Sequence, residues 1–251
     1  MKLYKALNRL FQNHQAHCSK KHDKWWDFMP FEIKNIPRTL LEYHLSDVVK
    51  LDCFRGVILN VGCGETTYEE FLPKSTAMYK VDWPSTLHDV FVDAWCDVHN
   101  LPFKNELFDL VICTEVLEHV KVPQAVLAEI YRVLKPNGLM FLTAPFLYSI
   151  HEAPYDFYRY TYYGLKWLLS TIGFQIEFIK PRGELLGVIV FFLRRFADKI
   201  TKKLLGNRLG SLIPWIALDR IYLLFFLRKC LNLNASNVNY TLGYSVLAKK
   251  N

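Results

Sequence analysis

Two groups of residues in this chain have the types and spacing that chemistry requires. The first begins with Asn60-Val61-Gly62-Cys63-Gly64, which closes the apolar run Val57-Ile58-Leu59. Asp82 follows Gly62 at roughly the 20-residue spacing of a ribose-binding acid. Asp97 and the pair Thr114-Glu115 close two further apolar segments. The second group lies in one stretch, Pro145 to Thr161, where His151, Glu152, Asp156 and Arg159 are set among aromatic residues.

The first group suits a nucleoside. Glycines let a ligand approach the backbone closely, because no Cβ stands in the way. A carboxylate such as Asp82 can accept from both vicinal hydroxyls of a ribose. Asp97 could accept from an adenine amino group. Each feature also has a plain structural reading: a tight turn at Gly62-Gly64, a strand-end cap at Asp82, a turn former at Asp97. A dinucleotide fingerprint would require a third glycine where Thr67 stands. The second group suits proton transfer. His151 carries an imidazole, which changes charge near neutral pH, and is the first candidate base. Asp156 is the second, with Arg159 as its companion. The alternative is an aromatic-lined loop in which Asp156 and Arg159 form a structural pair.

These residues need a scaffold that brings separate segment ends together. Apolar runs at Val57–Val61, Ala77–Val81, Val90–Trp95, Phe108–Cys113, Leu139–Thr143, Phe174–Ile179 and Tyr240–Ala248 read as seven strands. Helices are expected from about Pro123 to Leu134 and from Tyr162 to Ile172, the first opened by proline and stopped at Lys135-Pro136-Asn137-Gly138. Strands alternating with crossovers imply an α/β fold with a mostly parallel sheet and helices on both faces. Ligands of such sheets bind at the carboxyl ends of the strands, where Gly62, Asp82, Asp97 and Thr114 all fall.

Three blocks carry a specific resemblance: Cys96–Phe103, then Phe108–Val120 with Glu115-Val116-Leu117-Glu118-His119, then Arg132-Val133-Leu134-Lys135-Pro136-Asn137-Gly138. At this spacing the chain resembles the type-11 class I S-adenosylmethionine-dependent methyltransferases over about half its length. The resemblance implies a Rossmann-like methyltransferase fold, seven-stranded, with the last strand antiparallel. It implies S-adenosyl-L-methionine held by Asn60, Val61, Gly62, Cys63 and Gly64. It places Asp82, with Trp83 beside it, on the ribose, Asp97 and Val98 on the adenine, and Thr114 and Glu115 near the methionine moiety. Glu118 and His119 mainly close the start of the following helix in that family. Two positions depart from the pattern: Asn60 replaces the usual acid, and Thr66 the usual third glycine. The block Pro145–Thr161 is also similar to one in bacterial methyltransferases of surface-polysaccharide loci.

The expected reaction is therefore methyl transfer by in-line displacement, first to an oxygen of a sugar or lipid-linked glycan. A small soluble metabolite or lipid acceptor stays open, as does a non-catalytic cofactor-binding protein. A nicotinamide-dependent oxidoreductase is disfavoured by the missing glycine and the Leu134–Gly138 turn. The chain has 251 residues, about half of them hydrophobic. It divides into an N-terminal helical extension (1–50), a core (51–182), an amphipathic helical insertion (183–235) and a last strand (236–251). The insertion sets Arg194, Arg195, Lys199, Lys202 and Lys203 against Phe196, Ile200 and Leu204. That form suits an anionic membrane surface, a cap over the site or a dimer seam. The net charge of +7 fits a basic surface or an anionic partner, without a nucleic-acid signature. Six cysteines contain no Cys-x-x-Cys pair, so no metal is expected and a reducing, cytoplasmic compartment fits. No signal-peptide pattern and no spanning run is read.

Overall fold

In the computed structural model, residues 56–64, 68, 76–84, 91–183, 185–210 and 239–251 are described. The expected N-terminal extension and the second half of the insertion lie outside them. Seven strands form one sheet: β1 Val57–Val61, β2 Ala77–Asp82, β3 Ala94–Trp95, β4 Phe108–Thr114, β5 Leu134–Pro145, β6 Phe174–Arg182 and β7 Gly243–Lys250. Their order is β3-β2-β1-β4-β5-β7-β6. β1 to β5 pair in parallel, and β7 enters antiparallel between β5 and β6. The order reverses between β1 and β4, which opens a crevice at their carboxyl ends.

Side chains alternate across the strands, and both faces are covered. Leu59, Val61, Val111, Cys113, Met140, Leu142, Val246 and Ala248 belong to one buried cluster. Ile58, Leu110, Ile112, Phe141 and Leu247 belong to the other, with Tyr68. The first is closed by α1 (Pro123–Val133), through Val126, Leu127 and Ile130, and by α2 (Tyr162–Ile172), through Leu165, Leu168 and Leu169. Proline opens α1. Thr161 caps α2 by accepting from Gly164 N at 3.0 Å, and Gly173 ends it in the left-handed region, with φ +107°.

Four elements differ from the sequence reading: β6 runs on past Ile179 to Arg182, β7 is Gly243–Lys250 in place of Tyr240–Ala248, and β3 and β5 depart as follows. β3 is shorter than Val90–Trp95, because the Asp93 side chain takes the Lys80 N–H at 2.7 Å and ladder pairing starts only at Val81 and Ala94. β5 starts at Leu134, without a separate connecting turn. Leu134 pairs with Phe108 and Leu139 with Leu110, so Lys135–Gly138 bulge out of the ladder, with Asn137 at φ +64°. The bulge anchors a neighbouring strand. Lys135 Nζ reaches Asp109 at 2.8 Å, and Asp109 accepts from Val57 N at 2.8 Å, which pins the start of β1.

The first half of the insertion is one helix, α3, Leu185–Gly210. Val188 and Phe191 are buried, while Leu185, Ile189, Phe192, Leu193, Phe196, Ile200 and Leu204 are exposed. Among the described residues no helix is long and apolar enough to cross a membrane.

Candidate active site

At the end of β1 the chain turns at Gly62, with φ +62°, and again at Gly64, with φ +50°. A Cβ on Gly62 would lie 2.5 Å from Val116, so packing alone already demands glycine there. The turn is held from inside. Gly62 N and Cys63 N donate to Val81 O at 2.9 and 3.2 Å. Asp82, almost fully buried, accepts from Gly64 N and from Trp83 N, each at 2.7 Å. The strand-end cap and the ligand reading of Asp82 are compatible: a carboxylate has about four acceptor positions, and these bonds, with the Cys63 thiol at 3.8 Å, use three. Asn60 and Val61 are buried at the end of β1. Burial first, and then the Asp82 charge, push the Cys63 thiol up to about 12, so it stays protonated and is no nucleophile.

The loop expected to meet an adenine is supported by α1. Arg132 donates to Phe103 O and Leu101 O at 2.8 and 3.0 Å, and Glu129 accepts from Leu101 N at 2.9 Å. These bonds fix the loop that starts at Asp97 and buried Val98. Asp97 accepts from His99 N and pairs with His99 Nδ1 at 2.6 Å, and its side chain is about half exposed. Its charged form is favoured by the His99 N–H. Trp83 is also about half exposed, beside Asp82. A buried acid with spare acceptor positions, an open aromatic ring and an open acid on the next loop fit a nucleoside with vicinal hydroxyls and an exocyclic amine.

At the end of β4, Thr114 Oγ1 shares a hydrogen bond with Tyr68 OH at 2.8 Å. Glu115 stands at φ +54° and is locked by two strands, β5 and β6. Its Oε1 accepts from Thr143 Oγ1 at 2.8 Å and from Arg182 Nη2 at 2.5 Å, while its N–H donates to Thr143. Arg182, at the end of β6, is 2% exposed. Sequence reasoning passes over Arg182 and Tyr68, because neither sits in a recognisable motif. It puts Glu115 near a methionine moiety; in the structure its carboxylate pairs with the buried Arg182.

The segment after β5 folds back over the turn Leu117–His119. Phe157 N donates to Glu118 O at 2.8 Å, and Tyr160 OH to Leu117 O at 2.8 Å. Asp156 and Arg159 form the structural pair. Both Asp156 oxygens take Arg159 guanidinium donors, at 2.5 and 2.6 Å, and one also accepts from His151 N at 2.9 Å. The guanidinium holds the Asp156 carboxyl down to about 2, which makes it a poor proton acceptor. Asp156 and Arg159 thus form the ion pair that the alternative reading described, and Asp156 also holds His151 by its backbone N–H. The His151 ring stands edge-on to His119, with the two Nε2 atoms 3.1 Å apart. Tyr148 meets His151 edge-on on one side and stacks on Phe191 of α3 on the other. The first half of the insertion therefore roofs this site.

Glu118 is fully buried beneath the two histidines, 3.7 Å from His119 Nε2 and 3.8 Å from His151 Nε2. Burial, reinforced by the Glu115 charge, raises its carboxyl well above the usual range. Expected mainly to close a helix start, Glu118 and His119 join His151 in a single cluster.

Residues 59–142 match the family model described as a methyltransferase domain. A ubiquinone biosynthesis O-methyltransferase of Coxiella burnetii (strain Dugway 5J108-111) is 31% identical over 118 residues, covering 40% of this chain and 50% of that one. The chain thus spans about half the length of those curated relatives. A protein of the same description from Bradyrhizobium sp. (strain ORS 278) is 27% identical over 223 residues, 77% of this chain and 78% of that one. Among solved structures, a Haemonchus contortus phosphoethanolamine N-methyltransferase 2 in complex with S-adenosyl-L-methionine superposes with a TM-score of 0.51. At 16% identity, over 83% of this chain and 52% of that one, it shares the fold.

Proposed function

We propose, from the premise that residues 59–142 are a class I S-adenosylmethionine-dependent methyltransferase domain, that the chain methylates an oxygen of its acceptor. One observation carries this reading: the Glu118–His119–His151 cluster is joined to the end of β4, the strand that flanks the glycine turn. The acceptor side and the cofactor side thus meet at the β1/β4 switch point.

S-adenosyl-L-methionine, when bound, supplies an electrophilic methyl group on a sulfonium. The chain's part is positioning and proton management. Asp82, with Trp83, takes the ribose hydroxyls; Asp97 and Val98 take the adenine. Asn60 to Gly64 and Thr114 border the methionine moiety. Tyr148 and Phe191 present flat faces for the acceptor ring. His151 is held by its own N–H to Asp156 and by Nδ1 near Ser149 O at 3.3 Å, which leaves Nε2 facing the site. With His119 beside it, His151 lowers the cost of ionising the acceptor hydroxyl, either by taking the proton or by sharing a cation with its neighbours.

For the acceptor we favour a sugar of a lipid-linked glycan at the cytoplasmic face of the membrane. The aromatic pair suits a sugar ring face. The exposed apolar stripe of α3, flanked by Lys199, Lys202 and Lys203, suits an anionic surface, where each cation contributes about 1 kcal/mol. The names of the relatives favour a second acceptor, a phenolic hydroxyl on an apolar tail.

Calorimetry should give micromolar binding of S-adenosylmethionine and S-adenosylhomocysteine, and none of NAD. Binding of NAD alone overturns the reading. Incubation with methyl-labelled cofactor and a membrane lipid extract should place label in a glycan fraction; label in a quinone-precursor fraction selects the phenolic acceptor. The protein should float with anionic vesicles, and Lys199, Lys202 and Lys203 changed together to Glu should abolish flotation.

A further inference from the structure

We propose that Glu118, His119 and His151 hold a divalent transition-metal cation at the acceptor side of the site. One donor atom from each lies within 4.8 Å of the others. His119 Nδ1 faces Tyr155 O at 2.7 Å. A carbonyl only accepts, so the His119 proton is on Nδ1 and its Nε2 carries a lone pair. His151 Nδ1 faces Ser149 O at 3.3 Å and Asp156 Oδ2 at 3.4 Å, which places its proton on Nδ1 in the same way. In the neutral rings two Nε2 lone pairs then face each other across 3.1 Å, an arrangement that a shared proton or a metal cation between them relieves. Two nitrogens bound at right angles to one ion, each at about 2.1 Å, stand about 3.0 Å apart.

The third donor gives independent support. Glu118 is 0% exposed, and neither carboxylate oxygen has a hydrogen-bond partner among the described residues. An ionised carboxylate buried without a partner is costly, so such an acid either keeps its proton or gives it up to bind a cation. Its Oε1 lies about equally far from both Nε2 atoms, at 3.7 and 3.8 Å, so all three donors converge. Each imidazole is oriented from behind, His119 by a carbonyl and His151 by a carbonyl and the Arg159-bound Asp156. That is the outer-shell arrangement of metal-binding histidines. Glu152 Oε2, 3.9 Å from His119 Nε2, is a further oxygen at the rim.

The donor set selects the ion. Two imidazoles and one carboxylate suit zinc, manganese, iron(II), cobalt or nickel over magnesium or calcium. Such a set leaves coordination positions open, and His119 and His151 retain 17% and 26% side-chain exposure. The role of the ion rests on the methyl-transfer reading. A cation here lowers the pKa of a hydroxyl that binds it. The O–H bond breaks and its proton passes to water; the oxygen pair bonds the methyl carbon as the carbon–sulfur bond breaks, sulfur keeping that pair. The histidines then act as ligands, and His151 need not accept the proton itself. Cysteine spacing could not signal this site, because its donors are two adjacent residues and a third 32 positions on.

Titration of chelator-treated full-length protein with Co²⁺ tests the proposal without any activity assay. The expected result is one Co²⁺ per chain, with a visible ligand-field spectrum showing nitrogen coordination. Glu118→Gln and His119→Ala, each confirmed folded by circular dichroism, should weaken Co²⁺ binding at least tenfold. No stoichiometric binding, or equal binding by wild type and both variants, overturns the site. So does ¹⁵N NMR showing a proton on Nε2 of either histidine that Co²⁺ or Zn²⁺ does not displace. S-adenosylhomocysteine binding is measured on the same samples. S-adenosylhomocysteine binding without Co²⁺ binding sinks the metal site alone; Co²⁺ binding without it sinks the methyl-transfer reading alone.

Discussion

The turn after β1 and the segment after β5 solve the same problem by different means. In the glycine turn the polar groups are satisfied nearby, by Val81 O and by Asp82, 18 residues from Gly64. Most of these bonds involve backbone, so the turn needs only glycine, a strand end and one acid. The segment after β5 is tied by side chains over longer spans: His151 to His119 across 32 residues, Tyr160 to Leu117 across 43, and Tyr148 to Phe191 by ring stacking. Glu115 and Arg182, 67 residues apart, add a partly buried ion pair. The backbone-built half rests on few side chains. The side-chain-built half gathers charge and aromatic faces in one place, at the cost of buried polar groups that depend on one another.

Substitutions on the two halves should therefore fail differently. The largest effect is expected from His151→Ala. Turnover on the true acceptor should fall about 10²–10⁴-fold while S-adenosylhomocysteine affinity stays nearly unchanged. Single-turnover kinetics with parallel calorimetry checks this; normal turnover would reduce His151 to a lining residue. Asp82→Ala should show the opposite pattern. Cofactor binding should weaken by about 1–3 kcal/mol, read by calorimetry, because charge-assisted hydrogen bonds to the turn and the ligand are lost together.

Asp156→Asn separates positioning from chemistry. Its carboxyl is depressed to about 2 in the folded protein, against about 3.9 unfolded. A depressed acid stabilises the fold above its unfolded pKa, and that contribution disappears as pH falls through the folded pKa. The variant should lose about 2 kcal/mol at pH 7, with the difference from wild type closing between about pH 4 and pH 2. Urea titrations across that range decide it; a constant difference would mean that Asp156 acts through packing. The smallest effect tests the roof. A double-mutant cycle of Tyr148→Ala and Phe191→Ala should give a coupling of about 0.5–1.5 kcal/mol. Zero coupling in urea unfolding would detach α3 from the site.

Several features of the molecule are written in single segments. Strand periodicity places β1, β2 and β4 within a residue or two, and α2 at its observed ends, because local pattern and caps agree there. The glycine turn and Asp82 are legible because their partners are close in sequence. Lys135–Gly138 does stop α1 as its residue types imply, but only the pairing of Phe108 with Leu134 makes it a bulge inside β5. The second site is legible at His151, yet its composition is a tertiary decision. No spacing rule joins Glu118 and His119 to His151, marks Arg182 as the partner of Glu115, or assigns both Asp156 oxygens to Arg159. Those outcomes depend on which strand ends become neighbours once the sheet order is set. Burial then forces each charge to take the partner that the fold brings within reach.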